Sequence, residues 1–157
     1  MLKMFSKKGE QVFRPAAGTV LDLSEVPDPV FASGAVGEGF GLDPATGSFC
    51  SPVDGELILV AKTLHAFAVR TDAGAEILVH IGVDTVKLKG EGFTAHRAQG
   101  ERVQRGDLVI SCDLELMRPL VPSLITAVLV TNGADFAPTA PDKDAAGDSP
   151  VLTVRRN

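Results

Sequence analysis

Two segments determine the fold of this chain, Leu64-His65-Ala66-Phe67 and Gly74-Ala-Glu-Ile-Leu-Val-His80-Ile-Gly-Val-Asp-Thr-Val86. Each belongs to a run rich in β-branched and aliphatic residues, and a polar, glycine-bearing stretch at 70–75 separates the two runs. Two such runs with a short glycine-containing interruption are typical of a β-hairpin. We therefore predict two antiparallel strands that carry two of the three histidines of the chain.

The register of this hairpin decides whether the two histidines meet. A loop of two or four residues pairs His65 with His80, and side chains directly opposite each other have Cβ atoms about 4.5–5.5 Å apart. A type I turn with Gly74 as a left-handed bulge shifts the pairing by one residue and places the two rings on opposite faces. The residues by themselves leave both registers open.

The rest of the chain repeats short apolar runs punctuated by glycine, proline and aspartate. Regular short strands with turn signals between them are typical of an all-β sandwich or barrel. We predict a flexible leader over residues 1–13, followed over residues 14–157 by a single antiparallel, all-β, sandwich- or barrel-like domain with only short helical turns. The predicted strands are 18–23, 55–61, 65–69, 76–83, 108–111, 124–130 and 151–154, and the predicted helical turns are 26–32 and 113–120.

Charge and composition narrow the possible partners. The formal net charge of −5 disfavours nucleic acid, because phosphate binding depends on clustered lysine and arginine. The basic N-terminal stretch lacks an apolar segment of useful length, and no apolar run reaches the roughly 18 residues of a membrane helix. We expect a cytoplasmic, monomeric protein without membrane insertion, in which Cys50 and Cys112 are reduced and mostly buried thiols.

His80 is the first candidate for chemistry. Strand alternation places it with Leu78 and Gly82 on a face that lacks bulk, whereas the isoleucines and valines between them point to the other side. We expect Gly82 to leave that side open for a ligand. A histidine on a rigid strand beside a gap suits nucleophilic chemistry, because its ordinary pKa of about 6.5 leaves a neutral nitrogen available.

The other candidates have competing interpretations. Thr63 lies two residues before His65, so in a strand its hydroxyl can fix the imidazole ring, but an ordinary strand threonine explains it equally well. Asp84 ends the second strand and suits a turn or capping role as well as a functional one. His96 lies in a polar stretch, and we expect a surface residue.

The sequence resembles the glucose-type enzyme IIA components of the bacterial phosphoenolpyruvate-dependent sugar phosphotransferase system. Segment 74–86 is similar to the phosphorylation-site signature of that family, and a second histidine precedes it at position 65. Further similar segments follow one another in the family's order and together cover roughly residues 14–154. They are 27–31, 36–39, 51–55, 64–67, 88–93 and 106–109.

The resemblance implies a β-sandwich with both histidines in one shallow depression, and hence the register that pairs His65 with His80. It implies that His80 accepts a phosphoryl group from the small carrier protein HPr and passes it to a cysteine of a sugar-specific IIB domain acting in trans. His65 would stabilise that phosphoryl group and Thr63 would orient His65. The positions implied for partner contact are Asp28, Val30, Phe31, Val36, Leu78 and Asp84.

Phosphoryl transfer between nitrogens needs alignment and hydrogen-bond donors rather than covalent help, so we expect no cofactor. Two alternatives remain at this stage. A zinc hydrolase using His65, His80 and Asp84 lacks a convincing third ligand and an H-E-x-x-H pattern, although the two imidazoles can hold adventitious zinc. A regulatory module, in which phosphorylation of His80 switches partner choice, is compatible with the carrier function.

Overall fold

The computed structural model describes residues 9–157, and β-strands dominate it. The strands are β1 Glu10–Val12, β2 Gly18–Asp22, β3 Glu38–Pro44, β4 Ser48–Cys50, β5 Gly55–Val60, β6 Ala66–Arg70, β7 Glu76–His80, β8 Phe93–Ala95, β9 Arg102–Val103, β10 Leu108–Cys112, β11 Thr126–Val130, β12 Phe136–Pro138 and β13 Leu152–Arg156. Seven of them form one sheet in the order β2-β3-β11-β7-β6-β5-β9. Two smaller sheets have the orders β1-β13-β12 and β4-β10-β8.

All paired strands run antiparallel, which confirms the predicted fold class. The helical segments are short: α1 Pro29–Ala32, α2 Leu114–Met117 and the 3₁₀ turns Leu23–Glu25, Thr85–Leu88 and Arg118–Leu120. Helix α1 begins where Asp28 accepts a hydrogen bond from the amide of Val30, as an N-cap aspartate does. Within residues 9–157, no helix is long and apolar enough to cross a membrane.

The main core is a single cluster of buried apolar side chains to which all three sheets contribute. Two neighbouring rows of paired residues cross β6, β7, β11 and β3 on opposite sides of the large sheet. The inner row, which is buried in the main core, is Phe67, Val79, Val128 and Phe40. The outer row is Ala66, His80, Ala127 and Gly41. The sheet thus separates a bulky apolar row from a row that consists of one imidazole and three small residues.

The predicted leader was assigned too many residues. Glu10–Val12 pairs with β13, Val12 is buried in the main core, and the amide of Phe13 donates to the carbonyl of Pro52. A three-residue strand at a sheet edge is too short to show alternation in the sequence, which is why the prediction missed it. Residues 1–8 lie outside the described part of the chain.

Candidate functional site

The β6–β7 hairpin has the bulged register, with Ala66 opposite His80 and Arg70 opposite Glu76. The amide of Gly74 donates to the carbonyl of Thr71, and Gly74 has a φ of 107°, in the left-handed region. A turn followed by a left-handed glycine is the three-residue hairpin loop. The pairing of His65 with His80 that the resemblance implied is therefore wrong.

The two rings nevertheless meet, because His65 lies outside β6. It lies in the turn between β5 and β6, where Leu64 has a φ of 62°, so the alternation of β6, which begins at Ala66, does not extend to His65. The carbonyl of His65 accepts a hydrogen bond from the amide of Ile81 at 2.8 Å. The ring centroids of His65 and His80 lie 5.1 Å apart with an interplanar angle of 77°. The contact between the two rings therefore depends on the turn that contains the strained Leu64, and not on the register of the strands.

The tautomer of His80 follows from its hydrogen bond. Its Nδ1 lies 2.9 Å from the carbonyl oxygen of Gly82, and a carbonyl only accepts, so Nδ1 carries the proton. In the neutral ring the lone pair is then on Nε2. Burial and the nearby His65 lower the pKa of His80, against smaller opposing effects of the Gly82 carbonyl and Asp28. His80 is therefore a neutral imidazole with an available Nε2 at neutral pH.

His65 is tied to Thr63. Its Nδ1 lies 2.7 Å from the hydroxyl oxygen of Thr63, and burial lowers the pKa of His65. When that hydroxyl donates to Nδ1, the proton of the neutral ring is on Nε2, where it is free to donate to a ligand. The structure thus brings together Thr63, His65 and His80, the three residues predicted to carry the chemistry.

Phe31 covers one side of His80, with ring centroids 4.6 Å apart. It belongs to a second, smaller apolar cluster on the outer side of the sheet, with which the predicted contact residues Val36 and Leu78 also pack. Val30 is 56% exposed on α1, the helix that carries Phe31. Phe31, Val36, Leu78 and the exposed Val30 next to Phe31 thus make up an apolar margin, which reaches His80 through Phe31.

The two predicted acidic residues differ in setting. Asp28 caps α1, and its negative charge partly offsets the lowering of the pKa of His80. Asp84 is exposed just beyond β7, has a φ of 59°, and lies 3.7 Å from the ammonium group of Lys87. Asp84 accepts no cap hydrogen bond for the 3₁₀ turn that follows it. Asp84 thus lies in a turn without capping it through its side chain, while Asp28 does cap its helix.

Gly82 does not leave an open gap, contrary to the prediction. A Cβ at this position would lie 2.6 Å from the methyl group of Thr85 and 3.0 Å from the carbonyl oxygen of Ser123. Glycine is needed because its φ is 73° and because this space is filled. The small neighbours of His80 within the sheet are instead Ala66 and Ala127 of the outer row, which the sequence motifs did not indicate.

The remaining candidates lie outside this site. His96 is exposed as predicted, with its Nε2 2.8 Å from the hydroxyl of Ser111. Cys50 and Cys112 are free thiols and only partly buried, and burial raises the pKa of Cys112 to about 12. Within residues 9–157, no group of three or more histidine, cysteine or acidic side chains is arranged to hold a metal ion.

Comparison with known proteins gives one family. The model of the EIIA 1 family of the phosphoenolpyruvate-dependent sugar phosphotransferase system matches residues 10–136. The chain belongs to this family. This confirms the resemblance inferred from the motifs, and it assigns the chain a phosphocarrier role, with phosphotransfer activity, in sugar transport.

Individual relatives agree with this assignment. The chain is 42% identical over 153 residues to a glucose-specific EIIA component from Halalkalibacterium halodurans, covering 96% of this chain and 88% of the relative. It is 47% identical over 128 residues to a β-glucoside-specific EIIBCA component from Bacillus subtilis, covering 82% of this chain but only 21% of that longer protein. The solved structure of glucose permease IIA from Mycoplasma capricolum matches with a TM-score of 0.79 and 34% identity, covering 97% of this chain and 94% of that one.

Proposed function

We propose that His80 accepts a phosphoryl group on its Nε2 atom from phospho-HPr and passes it to a cysteine of a IIB domain. The observation that carries this proposal is the hydrogen bond from His80 Nδ1 to the carbonyl of Gly82. It leaves the lone pair on Nε2 of a partly buried, neutral ring. A nucleophile needs that electron pair at the atom where the new bond forms.

Both transfer steps balance without a cofactor. In the first, the bond between phosphorus and Nε2 of His80 forms as the bond between phosphorus and the HPr histidine breaks, and the electron pair of that bond returns to the HPr imidazole. In the second, a IIB cysteine thiolate attacks phosphorus, and the electron pair of the phosphorus–Nε2 bond returns to His80. Such transfers depend on positioning and on donors for the phosphoryl oxygens.

His65 supplies such a donor in this proposal. Its ring lies 5.1 Å from that of His80, and its Nδ1 faces Thr63, so its Nε2–H is the group available to the phosphoryl oxygens. The incoming negative charge also favours the protonated form of His65. Thr63 therefore acts by fixing the orientation of His65 rather than by touching the phosphoryl group.

The apolar margin and the acidic residues would receive the partner proteins. Val30, Phe31, Val36 and Leu78 offer apolar contact, and Asp28 and Asp84 offer charge to a basic partner. The EIIBCA name of the Bacillus subtilis relative couples an EIIA part to IIB and IIC parts within one protein. For this chain we propose the same partners acting in trans, with the protein working as a cytoplasmic monomer.

Incubation with phosphoenolpyruvate, enzyme I and HPr, followed by intact mass measurement, tests the proposal. We expect the mass of one acid-labile phosphoryl group on the wild-type chain and on His96→Gln, a control that changes an exposed histidine outside the site. We expect none on His80→Gln. Phosphorylation of His80→Gln, or its absence from the wild-type chain, contradicts the proposal.

His65→Ala separates acceptance from onward transfer. We expect this variant to accept the phosphoryl group, because the His80 nucleophile and its bond to Gly82 remain. Onward transfer to a IIB domain should fall by about 100-fold or more, the loss typical of removing a positioned transition-state donor. The time course of phosphoryl loss to a IIB domain measures the effect. Onward transfer at the wild-type rate removes the role assigned to His65.

A further inference from the structure

The peptide unit that joins Gly82 to Val83 is hydrogen-bonded on both sides. Its carbonyl accepts the proton of His80 Nδ1 at 2.9 Å, and its N–H, the amide of Val83, donates to the carbonyl of Ser123 at 2.9 Å. The two groups of one peptide unit share a plane and point in opposite directions. Whatever fixes the rotation of this plane therefore fixes the acceptor that determines the tautomer of His80.

Thr85 closes the turn that contains this peptide. Its side chain is fully buried, and its hydroxyl donates to the carbonyl of Ile81 at 2.5 Å. Its methyl group fills the space beside the Cα of Gly82 where a Cβ would otherwise lie. The turn holds two left-handed residues, Gly82 and Asp84, so it needs such fixation to persist.

The opposite anchor is fixed independently of Thr85. Ser123 forms an isolated antiparallel bridge with Val83, and its own hydroxyl accepts from the amide of Ile125 at 3.0 Å. Strand β11 begins at Thr126, directly after Ile125, so the segment that carries the Ser123 carbonyl leads straight into the large sheet. The Gly82–Val83 peptide is thus held between a strand-anchored acceptor and a turn that Thr85 closes.

We propose that Thr85 is a positioning residue for phosphoryl transfer. By closing the turn at Gly82, it keeps the Gly82 carbonyl directed at His80 Nδ1 and so keeps the lone pair on Nε2. This inference rests on the proposed function of His80, because a fixed tautomer matters only if Nε2 is the nucleophile. Thr85 acts through the turn, because its hydroxyl donates to the carbonyl of Ile81 and its methyl group packs beside Gly82.

The test compares the nitrogen-15 NMR signals of the His80 ring, without phosphorylation, in the wild-type chain and in three variants. Thr85→Val keeps the shape but removes the hydroxyl, and Thr85→Ser keeps the hydroxyl. Thr71→Val is the matched control, because Thr71 is also buried and uses its hydroxyl, as acceptor from Ala75, at the far end of the same hairpin.

We expect the Nδ1–H tautomer in the wild-type chain, in Thr85→Ser and in Thr71→Val, and a mixture of tautomers in Thr85→Val. The rate of phosphoryl acceptance by Thr85→Val should fall by about 3–10-fold, the equivalent of one hydrogen bond. Thr71→Val should lower stability without changing the tautomer or the rate. If Thr85→Val does not fold, Thr85→Ala, which admits water to the Ile81 carbonyl, takes its place with the same expectations.

An unchanged tautomer in the folded Thr85→Val or Thr85→Ala variant overturns the inference about Thr85. So does an equal tautomer shift in Thr71→Val, because the effect would then follow general destabilisation. These outcomes are read without any phosphoryl donor. They are therefore distinct from failure of the wild-type chain to become phosphorylated, which contradicts the proposed function.

Discussion

The inner and outer rows cross the same four strands, one residue apart, and their side chains serve different purposes. The inner row consists of two phenylalanines and two valines that are almost fully buried in the main core. The outer row holds a single partly buried imidazole between two alanines, and a glycine follows on the next strand. One face of a rigid sheet thus supplies stability, and the other face holds a reactive group in a fixed position.

Among the variants compared here, Phe67→Ala should have the largest effect, and it should lower the free energy of unfolding. Removing a buried phenylalanine from the inner row leaves a cavity, and the free energy of unfolding should fall by about 3–5 kcal/mol. Urea denaturation measures this loss. At a temperature where the variant is folded, its rate of phosphoryl acceptance should match that of the wild-type chain. A rate loss without a stability loss would break the separation between the two rows.

Thr63→Val changes the histidine site on the outer side of the sheet, and it should have an intermediate effect, on the rate of phosphoryl transfer. Valine keeps the shape of the threonine side chain but lacks the hydroxyl that fixes His65. Onward phosphoryl transfer should therefore slow by about 3–10-fold, which corresponds to the loss of one hydrogen bond. Stability, measured by urea denaturation, should change little, because Thr63 lies outside the main core. Thr63→Ser should restore the rate. A stability loss comparable to that of Phe67→Ala would show that Thr63 is a core residue instead.

The pH dependence of stability should show the smallest effect. Burial lowers the pKa values of both His65 and His80 in the folded chain, although the Gly82 carbonyl and Asp28 partly offset this for His80. Below about pH 6.5 the unfolded chain then binds more protons than the folded chain. The two histidines therefore contribute their full stabilisation above this pH. That contribution is lost as the pH falls through their lowered pKa values in the folded chain.

Denaturation curves between neutral and mildly acidic pH measure this loss. His80→Gln should flatten part of the slope, since a glutamine does not titrate. Phe67→Ala should shift the whole curve downward and leave its slope unchanged, since the inner row carries no titrating group. If His96→Gln flattened the slope of stability against pH equally, the slope could not be attributed to His80.

Much of the architecture was predictable from local patterns. The apolar runs of β6, β7 and β11 mark strands, two of them buried on both faces, and the interruption at 70–75 marks the hairpin. Strand β3 was missed although it lies inside the large sheet, between β2 and β11. Its sequence contains Gly39, where a Cβ would clash with the carbonyl of Val128, and Gly41, where Val26 packs, and these two glycines weaken any alternation signal.

The contact between the two histidines could not be derived from strand geometry. It depends on the left-handed conformations of Gly74 and Leu64, and only the glycine is a residue type that indicates such a conformation. The motif resemblance predicted the contact correctly while implying the wrong register for it. The role of Gly82 was misread for a related reason, because the side chain of Thr85 that fills its space approaches through a turn whose shape the sequence does not reveal.

The atom that carries the phosphoryl group tests most directly whether Nε2 of His80 is the nucleophile. The measurement is phosphorus-31 and nitrogen-15 NMR of the labelled chain after incubation with phosphoenolpyruvate, enzyme I and HPr. We predict a single phosphorus–nitrogen coupling, to Nε2 of His80, because the Gly82 carbonyl holds the proton on Nδ1. Coupling to Nδ1 of His80, or to either nitrogen of His65, would contradict it.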